Sequence, residues 1–250
     1  MPSFKTHSVH GELLFNDIDS NVDLNKEDFK SFCMGPDILI FSDYRIFNIQ
    51  HKAKTRYFYY HLLKFIKENR LEDNSEVISY LYGSLEHLVL DSTFHPLIND
   101  ISKDSYDHFM IEHCLDDYVC DKYNVSNVNY YKKDKICDLE LKSLIDKVYK
   151  KVYNSSHESI KYEIGLKLMR LYDTYIKGFI VNNKYASSID DELFSKLWKK
   201  SSERFIDTVN DVNRYLYGDG IIRNKYIIDN ISYDTGIPCE KIKIKRLIRY

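Results

Sequence analysis

At 250 residues with 44% hydrophobic content, the chain is long enough to bury a sizeable core and is not a disordered protein. A formal net charge of −2, with both signs interspersed, argues against a nucleic-acid binder working through its own phosphate contacts. Glycine (8) and proline (4) are scarce, and long Lys/Glu/Leu/Tyr stretches of helical period predict an all-α fold.

The first fifteen residues, MPSFKTHSVHGELLF, hold no apolar run of signal-peptide length. A helix beginning near Thr6 places His7 in its first turn, as a candidate metal ligand, with His10 a second candidate. Asp23 is the expected N-cap of a short helix over 24–34, which stops at Gly35-Pro36. Asp37 follows at once, its direction set by these neighbours, as suits a ligand or a general base; a plain turn aspartate is the alternative. His51 is expected to open an amphipathic helix with Phe58, Leu62, Phe65 and Ile66 on its buried side, while His61 reads as packing or surface.

In the stretch 79–96, SYLYGSLEHLVLDSTFHP, the side chains of His87, Asp91 and His95 recur every four residues. On a helix that spacing moves each one only ~40° around the axis and ~6 Å along it, so all three share one stripe. His87 and His95 then stand roughly 12 Å apart along the axis, too far to share one ion, and Asp91 between them can bridge two. A hydrogen-bonded His–Asp couple is the plainer reading. Gly83 and Ser84 leave room for another backbone or a substrate, and Pro96 is expected to end the helix. After a polar loop over 99–107, His108 and Glu112 share a helix face and, with His95, can supply three ligands to one ion. His113, Asp116 and Asp117 face elsewhere and are expected to be solvated.

Helices are expected near 138–153, 158–182 and 190–217, with Trp198 and Phe205 in the core. Beyond the Gly218-Asp219-Gly220 turn, residues 221–233 have a β-like look, giving a candidate hairpin or strand near the C-terminus. The tail alternates Lys241, Lys243 and Lys245 with Ile242 and Ile244, either a charged edge strand or a basic patch for membrane or nucleic acid. Five cysteines without paired spacing suggest free thiols in a reducing compartment. No window approaches the ~20 apolar residues of a membrane span, so a soluble, cytoplasmic protein is expected. All histidines except His157 precede residue 114, which places the candidate chemistry in the first half. The expected organisation is a catalytic unit over 1–182, with a helix and basic tail over 183–250 packed on it.

The ordered set Thr6-His7, Gly35-Pro36-Asp37, His51, Gly83-x-x-x-His87-x-x-x-Asp91-x-x-x-His95-Pro96 and His108-x-x-x-Glu112 resembles the zinc-dependent phospholipase C family. The match covers roughly 1–120, and that family's all-α bundle is shared with S1/P1-type nucleases. The resemblance implies a first zinc held by Asp37, His51, His87 and Asp91, and a second held by His95, His108 and Glu112. His7 and Asp91 would take a third together with the N-terminal residue. Met1-Pro2 stands close before His7 where secreted members have a processed N-terminus, so two or three Zn²⁺ are expected. Asp37 is the implied catalytic base. Three zinc ions against three carboxylates leave a net positive pocket, and metal-bound hydroxide would attack phosphorus. The residues that grip a choline headgroup in the family find no counterpart.

The expected function is therefore a zinc-dependent phosphoric ester hydrolase, a phospholipase C-like phosphodiesterase. Its substrate would be a phosphoester such as a phospholipid, with peripheral membrane contact. An S1/P1-type single-strand nuclease is the first alternative, with Tyr57, Tyr59, Tyr60, Tyr80 and Tyr82 available to stack bases. A non-catalytic zinc-stabilised interaction module is the second.

Overall fold

The computed structural model describes residues 4–18, 21, 23–125, 135–176, 189–218 and 231–238. Their elements in order are α1 (Phe4–Leu14), α2 (Lys26–Phe32), a 3-10 segment (Gly35–Phe41), α3 (Tyr44–Lys52), α4 (Thr55–Glu68) and α5 (Ser75–Ile101). Then come α6 (Ser105–Lys122), α7 (Leu139–Tyr153), α8 (Glu158–Leu171), a wide helical turn (Tyr172–Ile176) and α9 (Asp191–Tyr217). The fold is all-α: the described residues hold no strand, only an isolated antiparallel bridge between Ile231 and Pro238. The basic tail and most of the β-like stretch 221–233 lie outside the described residues.

Helix α5 is the axis of the molecule. Every residue from Val77 to His95 is buried, as expected of a helix apolar on all sides. α2 and α9 pack along it, and α1, α6, α7 and the 3-10 segment also contact it. Gly83 is where α2 comes closest: a β-carbon there would sit 2.6 Å from the Phe32 carbonyl carbon. Phe32, wholly buried, meets Tyr80 of α5 edge-on, and truncating such a ring to alanine costs about 3–5 kcal/mol.

Several boundaries differ from those expected. The helix over 24–34 shortens to α2 because Asn25, not Asp23, accepts the N–H groups of Glu27 and Asp28. Pro96 does not end α5, which runs one turn further to Ile101. The proline removes one backbone bond, but Ile98 is buried beyond it, so packing carries the helix across. The loop over 99–107 shrinks accordingly to 102–104. His51 does not open a helix. It lies in the last turn of α3, capped by Asp43 at its start, and Lys54 in left-handed conformation (φ 64°) separates it from α4. The helix expected over 158–182 ends at Leu171, and residues 177–188 lie outside the described set. Trp198 and Phe205 are buried as expected.

Candidate metal centre

α5 contributes His87, Asp91 and His95, and three neighbouring elements bring carboxylates and imidazoles against that stripe. α1 supplies His7. Its N-terminus is anchored where Asp116 accepts both the Thr6 N–H (2.8 Å) and hydroxyl (2.9 Å). The 3-10 segment supplies Asp37. It begins at Gly35, whose φ of +49° favours glycine and where a β-carbon would strike the His87 ring at 2.5 Å. That close approach lets the neighbouring Cys33 carbonyl accept from His87 Nδ1 at 3.1 Å. α3 supplies His51, and α6 supplies His108 and Glu112.

The donor atoms form three groups, Asp37/His51/His87 and His7/His87/Asp91, which share His87, and His95/His108/Glu112, within each of which they lie within 4.8 Å of one another. In the inner region His51 Nε2 is 2.9 Å from Asp37 Oδ1 and 3.7 Å from Asp91 Oδ2, and His87 Nε2 is 3.6 Å and 3.2 Å from the same two oxygens. His7 Nε2 reaches Asp91 Oδ1 at 3.1 Å, its ring stacked on His87 with centroids 4.1 Å apart. In the outer group Glu112 Oε1 lies 3.2 Å from His95 Nε2 and 2.8 Å from His108 Nε2. Asp91 stands between the groups, with Oδ2 also 3.8 Å from His95 Nδ1.

One nitrogen of each of three imidazoles is already committed. Nδ1 of His51 donates to the Phe47 carbonyl at 2.7 Å, His87 to Cys33, and His95 to the Tyr233 carbonyl at 2.8 Å. Burial opposes the charged form of His51, but Asp37 and Asp91 beside it raise the ring above its ordinary value. In the neutral form of each of the three rings, Nδ1, donating to a carbonyl that can only accept, carries the proton and Nε2 bears the lone pair. This is the tautomer a metal requires. Burial pushes His95 well below its ordinary value and His108 down to about 4, so both rings are neutral near pH 7. The Nε2 of His95 faces a Glu112 oxygen at 3.2 Å. In His7 burial opposes the charged form, but the Glu86 and Asp91 carboxylates outweigh it and raise the ring to about 10.

Sequence reasoning missed Glu86. Wholly buried, its carboxylate lies 3.3 Å from His7 Nδ1 and 2.7 Å from His10 Nδ1. His10 thereby belongs to this supporting pair, its Nε2 lying 3.1–3.2 Å from the Ser201 and Ser202 hydroxyls of α9. The signal was present: Glu86 and Asp91 are the charged carboxylates in the buried run 77–95. With Glu86, four carboxylates share this core rather than three, the fourth facing the His7 ring whose charged form it favours. His113 and Asp116, expected to be solvated, are buried because α6 packs on α1; His113 Nε2 lies 3.0 Å from the Tyr172 hydroxyl. Asp117 is half-buried. Residues 1–3, including the N-terminal candidate ligand, lie outside the described set.

A family profile described as zinc dependent phospholipase C matches residues 6–160, well over half the chain. The chain belongs to the zinc-dependent phospholipase C family. No curated protein and no solved structure matches it. The profile spans every residue of the three groups, but stops short of α9 and of Tyr233.

The residues of this zinc-dependent phospholipase C domain fit the ion that the family implies. Asp37 Oδ1 and Oδ2, His51 Nε2, His87 Nε2 and Asp91 Oδ2 are buried without a hydrogen-bond partner. Orphaned polar atoms of this kind are costly unless a cation takes their lone pairs. Donors around one tetrahedral zinc, each about 2.0–2.2 Å from it, stand roughly 3.3 Å apart. The inner separations of 2.9–3.7 Å bracket that spacing. A cavity of about 520 Å³ is lined by His51, His108 and Glu112 together with Tyr44, Phe47 and Phe109.

Proposed function

We propose that the protein is a zinc-dependent hydrolase of phosphate esters, a phospholipase C-like phosphodiesterase, with phospholipid as the first substrate class to test. The observation that carries the reading is the convergence of buried imidazole nitrogens and carboxylate oxygens, several of them without a hydrogen-bond partner, beside an open cavity. Asp37, His51, His87 and Asp91 would hold one zinc, and His95, His108 and Glu112 a second. His7 and Asp91 are the side chains available to a third. When bound, zinc would supply the Lewis acidity that phosphoester hydrolysis needs.

The chain's own residues orient and receive protons. The carbonyls of Phe47, Cys33 and Tyr233 hold three imidazoles in one tautomer, so no reorganisation is needed when the ion is bound. Asp37 keeps Oδ2 free of hydrogen bonds, and that atom would take the proton of the attacking water. Phe47 and Phe109 give the cavity apolar wall, which suits a substrate with a hydrocarbon part.

Two rival readings lose support. Tyr59, Tyr80 and Tyr82 are buried in the core, while Tyr57 and Tyr60 lie exposed on α4, and none of the five lines the cavity. The tyrosines on which a single-strand nuclease rested are thus not at the site. A purely structural zinc site would be closed on all sides; this one opens on a cavity through His51, His108 and Glu112. Among the described residues no helix is long and apolar enough to cross a membrane. The test is turnover of phosphatidylcholine vesicles and of single-stranded DNA by zinc-loaded protein. Release of phosphorylated headgroup that stops on chelation is expected, and DNA cleavage without lipid cleavage would reverse the assignment.

A further inference from the structure

Residues 231–238 lie beyond the family match and supply no ligand side chain, yet they grip both groups. The Tyr233 carbonyl accepts from His95 Nδ1, and the Ser232 hydroxyl (2.9 Å) and Asp234 N–H (3.3 Å) donate to the His51 carbonyl. The buried Tyr233 ring meets His51 edge-on at 5.4 Å and His87 at 5.8 Å. Its hydroxyl lies 3.2 Å from that of Tyr59, which donates to the Ser84 carbonyl of α5 at 2.6 Å. The turn is closed by Ser232 N–H on the Ile237 carbonyl and Gly236 N–H on the Ser232 carbonyl, both at 2.9 Å. Gly236 has φ +63°, and a β-carbon on it would sit 2.4 Å from the Ser92 carbonyl oxygen.

We propose that this turn is a clamp that sets the imidazole of His95, with Tyr233 as a positioning residue, so that a segment outside the family match completes the metal centre of this chain. The inference rests on the reading that His95 is a zinc ligand. Holding Nδ1–H on a carbonyl fixes both ring orientation and tautomer. His51 and His87 are each held by a carbonyl of the first half of the chain, His51 by its own helix; His95 alone of the three depends on an acceptor 138 positions away. Loosening the turn therefore acts first on the His95/His108/Glu112 group.

The experiment uses the full-length, zinc-loaded protein and follows zinc release to excess chelator, alongside the visible spectrum of the cobalt-loaded form. Gly236→Ala pushes a methyl group at Ser92 and displaces the turn without removing a ligand. Val148→Ala, in the α4–α7 core, serves as a control for lost stability alone. The expected result is one zinc released about 10-fold faster or more in Gly236→Ala, with an altered cobalt spectrum. Val148→Ala should release zinc as wild type does. Wild-type release and spectrum in folded Gly236→Ala overturn the clamp. Should that variant not fold, Ser232→Ala, which removes the hydroxyl that donates to the His51 carbonyl and accepts from the Asp234 and Thr235 N–H groups, decides on the same readouts. His95→Ala serves the premise: full zinc retention there would overturn the ligand reading itself, whereas zinc loss there with none in the turn variants would reject the clamp alone.

Discussion

The inner side chains, Asp37, His51, His87, Asp91 and His7, are at most 3% exposed, whereas in the outer group His108 is 21% exposed and Glu112 6%. Inner donors come from α1, the 3-10 segment, α3 and α5, elements packed on one another through the first half of the chain. The outer donors come from the end of α5 and from α6, and His95 owes its orientation to the far C-terminal turn. The difference separates two tasks. The more deeply buried donors suit the holding of an ion, whereas His108 and Glu112, with His51 of the inner group, border the cavity where a substrate would be met.

Replacing Asp91, which touches both regions, is expected to have the largest effect. Asp91→Asn should release more than one zinc and lower kcat/KM by about 10³-fold or more, since each ion supplies several kcal/mol of charge stabilisation. Elemental analysis with kinetics checks this, and loss confined to one zinc would show that the two regions do not share Asp91. Next comes Asp37→Asn, expected to lower kcat by about 10²–10⁴-fold, as for a lost general base, with little change in melting temperature. An unchanged rate would remove its proposed role.

The outer group is probed by His108→Ala. It should lose one zinc and most activity while the inner zinc stays, which sharpens the division of labour; equal loss from both regions would break it. Glu86→Gln tests the support behind the inner group. Outer-shell partners of this kind are worth about 10–100-fold in metal affinity, so zinc titration should show one weakened inner site. The smallest effect belongs to Tyr57→Ala and Tyr60→Ala on exposed α4, each expected within about 0.5 kcal/mol of wild-type stability. Neither should alter turnover of lipid or of single-stranded DNA.

The side chains that converge were more legible in the sequence than the groups that hold them. His87, Asp91 and His95 announced themselves because helical spacing turns sequence distance into a shared face. Their fold class followed from scarce glycine and long helical periods. Helix ends were harder. Pro96 is a valid stop signal that packing overrode, and His51 was assigned to the wrong helix because a left-handed Lys54 carries no compositional mark. Tyr233 was illegible for a deeper reason: it acts through a backbone carbonyl, which every residue has, across a separation no local pattern spans. Glu86 was legible as a charge within a buried helix, but only its position against α1 shows that it serves His7 and His10.

The central claim is that these buried acceptors face one another because cations stand between them. Elemental analysis of the purified, dialysed full-length chain, beside His87→Ala, measures this directly. The account predicts two or three zinc ions per wild-type chain and fewer in the variant. A wild-type chain that retains no divalent metal, or a variant that retains as much as wild type, would contradict it.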